Sequence, residues 1–367
     1  MRSSTGLYVS RLDHMRALAA FLVYCWHFLH IKIPYEMVPA FMPLSLFEEG
    51  HAGVGLFMTL SGYLFAKIMD GRKIDLGRFY RNRLLRLVPL LSVVLLYWAL
   101  RGQLSLEGFV KGFLSFPTWP PGTWSIVVEF HFYLVFPLLL VLQRVHRIWP
   151  LIAVLAISIA LRTLLWQAYG EVQWLSYWTI IGCIDLFVLG MLWHELAGKQ
   201  LIKAWPGLLA AGSMIAIIGL WHAFNGMGGF YGLGGYPSSN AIWIVIPTLQ
   251  GLLFGALIAG YERMAVKIPG MLDRGLARTG EVSYSIYLVE FIVYPTLGKY
   301  CGLLGFDLGN FSVAMALAVA TFPVIVLISN LTYELIEKPF LRWRRAYVEG
   351  SQNRFEAKPE ARWVPVA

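Results

Sequence analysis

Ten apolar runs, each long enough to cross a hydrocarbon core as a helix, set the architecture of this chain before any single residue is considered. A core of ~30 Å takes about 20 helical residues. Runs of that order fall near 14–31, 52–69, 84–100, 124–143, 149–168, 174–196, 206–224, 241–262, 283–304 and 312–335. No water reaches a backbone amide in lipid, so such runs become helices rather than isolated strands. Composition agrees: 58% of the 367 residues are hydrophobic and 14% charged, where a soluble domain carries roughly a quarter charged. The expected fold class is an all-α polytopic membrane protein with about ten transmembrane helices. One integral-membrane domain, 1–340, is expected to precede a cytoplasmic basic tail, 341–367, disordered and too short to bury a core.

Lysine and arginine give the orientation. With the N-terminus inside, all but Lys32, Arg101, Lys111, Arg162 and Lys299 of the 30 basic residues fall on the cytoplasmic side. A missed or extra span would scramble this alternation, so the count of ten and an N-in, C-in topology support each other. The formal charge of +9 is then topological, with no basic stripe or motif for nucleic acid. Cys25, Cys183 and Cys301 lie in apolar runs without ligand spacing, so neither a disulfide framework nor a metal site is expected. The first run ends in "CWHFLHIKIPYE", not in small residues suited to cleavage, and is expected to be retained.

Polar residues inside these runs are the candidates for chemistry, since a charge at bilayer depth costs at least ~2.5 to 3.5 kcal/mol. In "MRALAAFLVYCWHFLH", Arg16 and His27 are about three helical turns apart, on nearly the same face and ~16 Å from each other. One stripe thus carries a cation near the cytoplasmic surface and an imidazole further in. The bland alternative is a snorkelling Arg16 and an interfacial His27. The pairing tilts the balance towards function.

The inner loop "KIMDGRKIDLGRFYRNRLLRLVPLL" places Arg83 and Arg86 at i,i+3, where their forked donors share a face and suit a phosphate. A positive-inside loop resting on anionic lipid is the competing explanation. In "GTWSIVVEFHFYLVFP", Glu129 lies about one and a half turns into the fourth span, with Tyr133 one turn further on its face. Such a carboxylate could orient His27, accept a proton, bind sugar hydroxyls, or pair with an arginine to hold the bundle. His131, about 200° around the helix, faces away. The segment "NGMGGFYGLGGYPSSN", 225–240, lacks the lysine of a phosphate loop and reads as a mobile outer loop.

Together these residues resemble the acyltransferase 3 family of bacterial ten-helix membrane proteins. The likeness runs from about Leu12 to Pro339. "RLDHMRALAAFLVYCWH" is similar to the opening motif of a basic residue, ten others and a histidine, here Arg16 and His27. "GLFMTLSGYLF" matches the second-span segment at Ser61 and Gly62, and "RNRLLRLVP" the Arg-x-x-Arg element, here Arg83 and Arg86. "TWSIVVEFHFY" matches the segment at Trp124, Ser125, Glu129 and Tyr133. "GEVSYSIYLVEF" matches the late segment at Ser283, Tyr284 and Tyr287, and "IEKP" the closing element at Glu337 and Pro339. Two departures stand out. Glu290 replaces a histidine that many members have, and no extracytoplasmic esterase-like domain is expected here, so the resemblance implies that either the membrane domain completes the reaction itself or a separate extracytoplasmic transferase partner does.

The resemblance implies a multi-pass protein of the inner (cytoplasmic) membrane and an O-acyltransferase. It implies a cytoplasmic acyl-coenzyme A donor, most often acetyl, and a hydroxyl acceptor on a carbohydrate or glycolipid, often at the outer side. Arg16, Arg83 and Arg86 would hold the donor. His27 would act as general base or carry the acyl group. Glu129 would hold the imidazole or the sugar, and Ser61, Trp124, Tyr133, Ser283 and Tyr287 would line the pocket. Alternatives are an acyltransferase for a small secreted metabolite or lipid, and a transporter. Against the transporter, the two halves of the sequence show no repeat.

Overall fold

The computed structural model describes residues 9–348 apart from 36, 70, 71, 106, 109, 112–121, 233 and 234. The described chain is helical. Its β structure is confined to an isolated bridge between Ile74 and Val348. The main helices are α1 (Ser10–Leu29), α2 (Ala52–Met69), α3 (Leu76–Leu100), α4 (Trp124–His146), α5 (Trp149–Tyr169) and α6 (Ile180–Ala197). They continue as α7 (Pro206–Gly226), α8 (Ile246–Arg263), α9 (Gly270–Glu281), α10 (Ser283–Leu303) and α11 (Phe311–Thr332).

A helix stands at each of the ten expected runs, α9 being an additional one between the eighth and ninth. Among the described residues, seven are long and apolar enough to cross a membrane by length and composition: α2 to α7, and α11 with its continuation to Leu341. The other three, α1, α8 and α10, are more polar, and they keep Asp13, His14, Gln250 and Glu290 buried in the bundle. The apolar sequences of α2 and α6 are 78% and 61% buried, those of α5 and α11 only 17%. The former pair is therefore the core, while the latter turn most of their surface outward.

Glycine makes that core close. A Cβ on Gly62 would lie 1.9 Å from Phe187 O, and one on Gly190 would lie 2.0 Å from Thr59 O. The α2 and α6 backbones thus touch through small residues, as helices do where lipid gives no hydrophobic drive for association.

The structure departs from the sequence reading in three places. First, α3 starts at Leu76, not near 84, because Asp75 caps it by accepting from Arg78 N at 3.0 Å. Arg83 and Arg86 stand inside a helix, not in its approach loop. Second, the glycine-rich segment is packed: Phe230 is buried against Trp26, His51, Tyr177 and Trp243. Third, α11 passes through a π-helical turn, Tyr333–Glu337, and a short helix, Lys338–Leu341, after which residues 342–348 fold back along α3. Asn82 donates to Arg345 O at 2.6 Å and accepts from Arg345 N at 3.1 Å, and Asp75 N donates to Tyr347 O at 2.9 Å. The expected tail is ordered through Val348, and its remaining part, 349–367, lies outside the described residues.

Candidate functional site

Where α1 and α3 begin and α2 ends, the helices leave a cavity of about 190 Å³. Four guanidinium groups reach it, from Arg16, Arg83, Arg86 and Arg344. Three of these were foreseen; Arg344 was not, since it belongs to the folded-back segment. Arg16 pairs with Asp13 one turn earlier. Arg86 donates to Glu337 at 2.8 Å, and Ser285 donates to the other oxygen of that carboxylate. The π-helical turn brings Glu337 into this position, and a helix carrying such a turn often marks a functional site.

Arg83 is held differently. Its guanidinium lies over Phe65 at 4.9 Å, with Phe79, Tyr133 and Tyr347 within 6 Å. It donates to the Tyr347 hydroxyl at 3.3 Å, while its buried Nε has no hydrogen-bond partner. A ring cage of this kind holds a cation by its π faces, and Tyr133 and Glu129 also act on this guanidinium. Arg83 and Arg86 thus occupy one cavity without sharing one carboxylate.

Ser61, Glu129, Tyr133, Ser283 and Tyr287 also line the cavity. Tyr133 donates to Glu129, and Ser125 donates to the Tyr287 hydroxyl at 2.6 Å. Trp124 does not line it: its ring packs on Tyr177 and Trp178, each 4.7 Å away, beside a separate small cavity.

His27 lies beyond this cavity, towards the other end of α1. Its Nδ1 is 3.1 Å from Glu290 Oε1, and its ring meets Phe291 edge-on at 4.5 Å and stacks with Tyr294 at 5.7 Å. The carboxylate at His27 is therefore Glu290, the residue flagged only as a departure from the family, and Glu129 lies in the cavity instead. Glu290 is fully buried and its second oxygen has no partner. A carboxylate at Nδ1 fixes that nitrogen as the protonated one and leaves Nε2 as the base. Tyr287, which lines the cavity, sits one turn from Phe291, which touches His27. His27 itself does not line the cavity, so the stripe that α1 carries from Arg16 to His27 opens into it at the Arg16 end.

The sequence reading missed a cluster beyond His27, in the connection between α1 and α2. His30 Nε2 is 3.2 Å from Glu48, His51 Nε2 is 3.0 Å from Glu49, and Asn225 donates to Glu49 at 3.1 Å. Tyr35 stacks on His30 at 3.9 Å, and Trp26 touches both histidines. The signal was the run "EEGH" placed directly before an apolar span. Burial pushes Glu49 well above the usual carboxylate range, helped by Glu48, and pulls His51 down to about 3, helped by His30 and His27. Both are driven towards neutral forms, so theirs is a hydrogen bond rather than an ion pair.

A pH dependence follows from His51. Its folded pKa is below the unfolded one, so the unfolded state binds the extra proton first as pH falls below ~6.5. The folded state then loses up to ~1.4 kcal/mol per pH unit from this residue. In detergent, the melting temperature of wild type is expected to fall more between pH 7 and pH 5 than that of His51→Gln, since Glu49, whose raised pKa acts in the opposite sense, is common to both. An equal fall in both proteins would remove His51 as the source.

A model of the acyltransferase domain family matches residues 9–330. Exopolysaccharide production protein ExoZ of Rhizobium meliloti (strain 1021) is 28% identical over 325 residues, covering 82% of this chain and 92% of its own. Acyltransferase MdmB of Streptomyces mycarofaciens is 26% identical over 371 residues, covering 90% and 91%. Peptidoglycan O-acetyltransferase OatA of Listeria monocytogenes is 25% identical over 410 residues, covering 98% of this chain but 61% of its own length. No solved structure matches.

Proposed function

The chain belongs to the acyltransferase domain family, and from that premise we propose that it moves an acyl group, most often acetyl, from acyl-coenzyme A to a hydroxyl of a carbohydrate or glycolipid. The observation that carries this reading is the arrangement along α1. A cavity rich in guanidinium groups lies at one end, and a carboxylate-held imidazole lies against Phe291 at the other. The first suits a polyanionic donor; the second suits proton transfer from a hydroxyl.

In this reading all ten helices cross the inner membrane, with both ends of the chain in the cytoplasm. The basic residues support that sidedness, as does the meeting of the α1 start, the α2 end, the α3 start and residues 342–348 around one cavity. The acyl end of the donor reaches towards His27 once Tyr287 and Phe291 move aside. His27 Nε2 takes the acceptor's proton as its oxygen attacks the thioester carbonyl. The carbon–sulfur bond then breaks, and the leaving thiolate recovers the proton. Where donor and acceptor enter from opposite sides and never meet, His27 instead carries the acyl group between them. Relatives whose names specify exopolysaccharide production and peptidoglycan O-acetylation support a glycan acceptor.

The test is transfer of label. Protein in liposomes is given acetyl-coenzyme A labelled in the acetyl group, together with candidate glycans and glycolipids. Label is expected to become covalently attached to acceptor in an alkali-labile ester. Label that crosses the bilayer while still on its donor would show a carrier and defeat the proposal.

A further inference from the structure

Arg344 reaches the cavity from a part of the chain beyond residue 330, where the family match ends. Residues 342–348 are held there by specific bonds and not by apolar burial alone. Besides the two Asn82 bonds, Arg78 donates to Ala346 O at 3.3 Å, and Ile74 bridges Val348. Tyr347 is buried, its ring 5.6 Å from Phe79, and its hydroxyl accepts from Arg83. One short segment therefore both adds a guanidinium to the cavity and orients another.

The cations around it are held in two different ways. Of the other cations lining the cavity, Arg16, Lys67 and Arg86 each meet a carboxylate, on Asp13, Glu262 and Glu337. Arg83 sits instead among aromatic rings, with Glu129 near enough to act on its charge and its buried Nε unpartnered. Burial, followed by the nearby guanidinium groups of Arg86 and Arg83, pulls Arg344 down to about 10, so it is charged at neutral pH, with both guanidinium groups and the Glu337 carboxylate near it. Concentrating guanidinium groups in a partly closed space is unfavourable unless an anion joins them.

Resting on the acyl-coenzyme A reading above, we propose that Arg344 and Arg83 form a phosphate-binding subsite for the nucleotide end of the donor. The folded-back segment then makes the protein prefer a phosphorylated donor over a bare acyl-pantetheine. Arg344 and Arg83 bind the phosphate oxygens, and Tyr347 positions Arg83. Arg86, tied to Glu337, helps to form the wall.

Two measurements test this together. The first compares acetyl-coenzyme A with S-acetyl-pantetheine, which has the thioester but no phosphate, in wild type, Arg344→Gln and Arg344→Lys. The ratio of kcat/KM for the two donors is expected to fall about tenfold in Arg344→Gln, the scale of one charged hydrogen bond. Arg344→Lys is expected to recover part of it. An equal loss with both donors would reduce the segment to a structural support and overturn the proposal, as would an unaltered ratio.

The second measurement needs no turnover: binding of adenosine 3′,5′-bisphosphate to purified protein in neutral detergent. Wild type is expected to bind it and Arg344→Gln to bind about tenfold more weakly. If bisphosphate binding depends on Arg344 while neither donor is consumed, the subsite stands and the reaction reading fails. If anionic lipid binds in an Arg344-dependent way and the bisphosphate does not, the subsite belongs to a headgroup and the proposal fails.

Discussion

His27→Ala is expected to lower acyl transfer by about 10² to 10⁴, the range a positioned general acid–base contributes, with its abundance in the membrane unaltered. Glu290→Gln is expected to cost less, about 10- to 100-fold in kcat, and to leave KM for the donor alone. The reason lies in the geometry. Nδ1 of His27 faces a carboxylate 3.1 Å away, buried beside it. An amide keeps the volume but can present its NH₂ to Nδ1, which stabilises the wrong tautomer. Because the two residues act as one unit, the double variant should be no worse than His27→Ala alone. Independent, additive losses would mean that Glu290 supports the bundle rather than the imidazole. Full activity in His27→Ala would take this residue out of the reaction altogether.

That pair shows where sequence stops being legible. The pattern within one helix was readable: Arg16 and His27 share α1 because a spacing of about three turns puts residues on one face. The cationic cavity was readable too, since Arg83 and Arg86 are i,i+3 neighbours in a basic stretch. Glu290, however, is 263 positions from His27, and no local period connects them. Beside the family pattern, Glu290 looked like a missing imidazole; in the structure it is the carboxylate within hydrogen-bond distance of the existing one.

Tertiary bonds defeated the other expectations as well. Residues 342–348 have the polar, basic composition of a tail, yet the Asn82 amide and the Asp75 backbone bind their main chain. Side-chain-to-backbone bonds of that kind leave no periodic trace. The glycines of 225–240 suggested mobility, but Phe230 among them anchors the segment in an aromatic cluster. Trp124 carried the family's motif and still faces Tyr177 and Trp178 rather than the cavity. A motif match locates a residue on its helix. It does not say what the opposite helix brings to meet it.

Arg162→Met is expected to be among the most destabilising single changes in the chain, by about 3 to 5 kcal/mol, the cost of breaking a buried ion pair on one side. Arg162 stood out in the sequence as an unexplained cation within an apolar span. In the structure it is fully buried and spends its donors on four acceptors: Ile244 O at 2.8 Å, Gly182 O at 2.9 Å, Asp185 at 2.6 Å and Thr248 at 2.9 Å. These tie α5 to α6 and to the start of α8. Removing the guanidinium leaves Asp185 buried without its cation, with the Thr248 hydroxyl as its remaining side-chain donor among the described residues. Methionine fills the volume but supplies no donor, so the loss is electrostatic rather than a cavity effect. The melting temperature in detergent should drop sharply in Arg162→Met and recover in the double variant Arg162→Met with Asp185→Leu, because replacing both charges by apolar groups is often neutral or better. If the double variant melts no higher than the single one, the backbone acceptors at Ile244 and Gly182 matter more than the ion pair. The clamp would then work through its main-chain bonds.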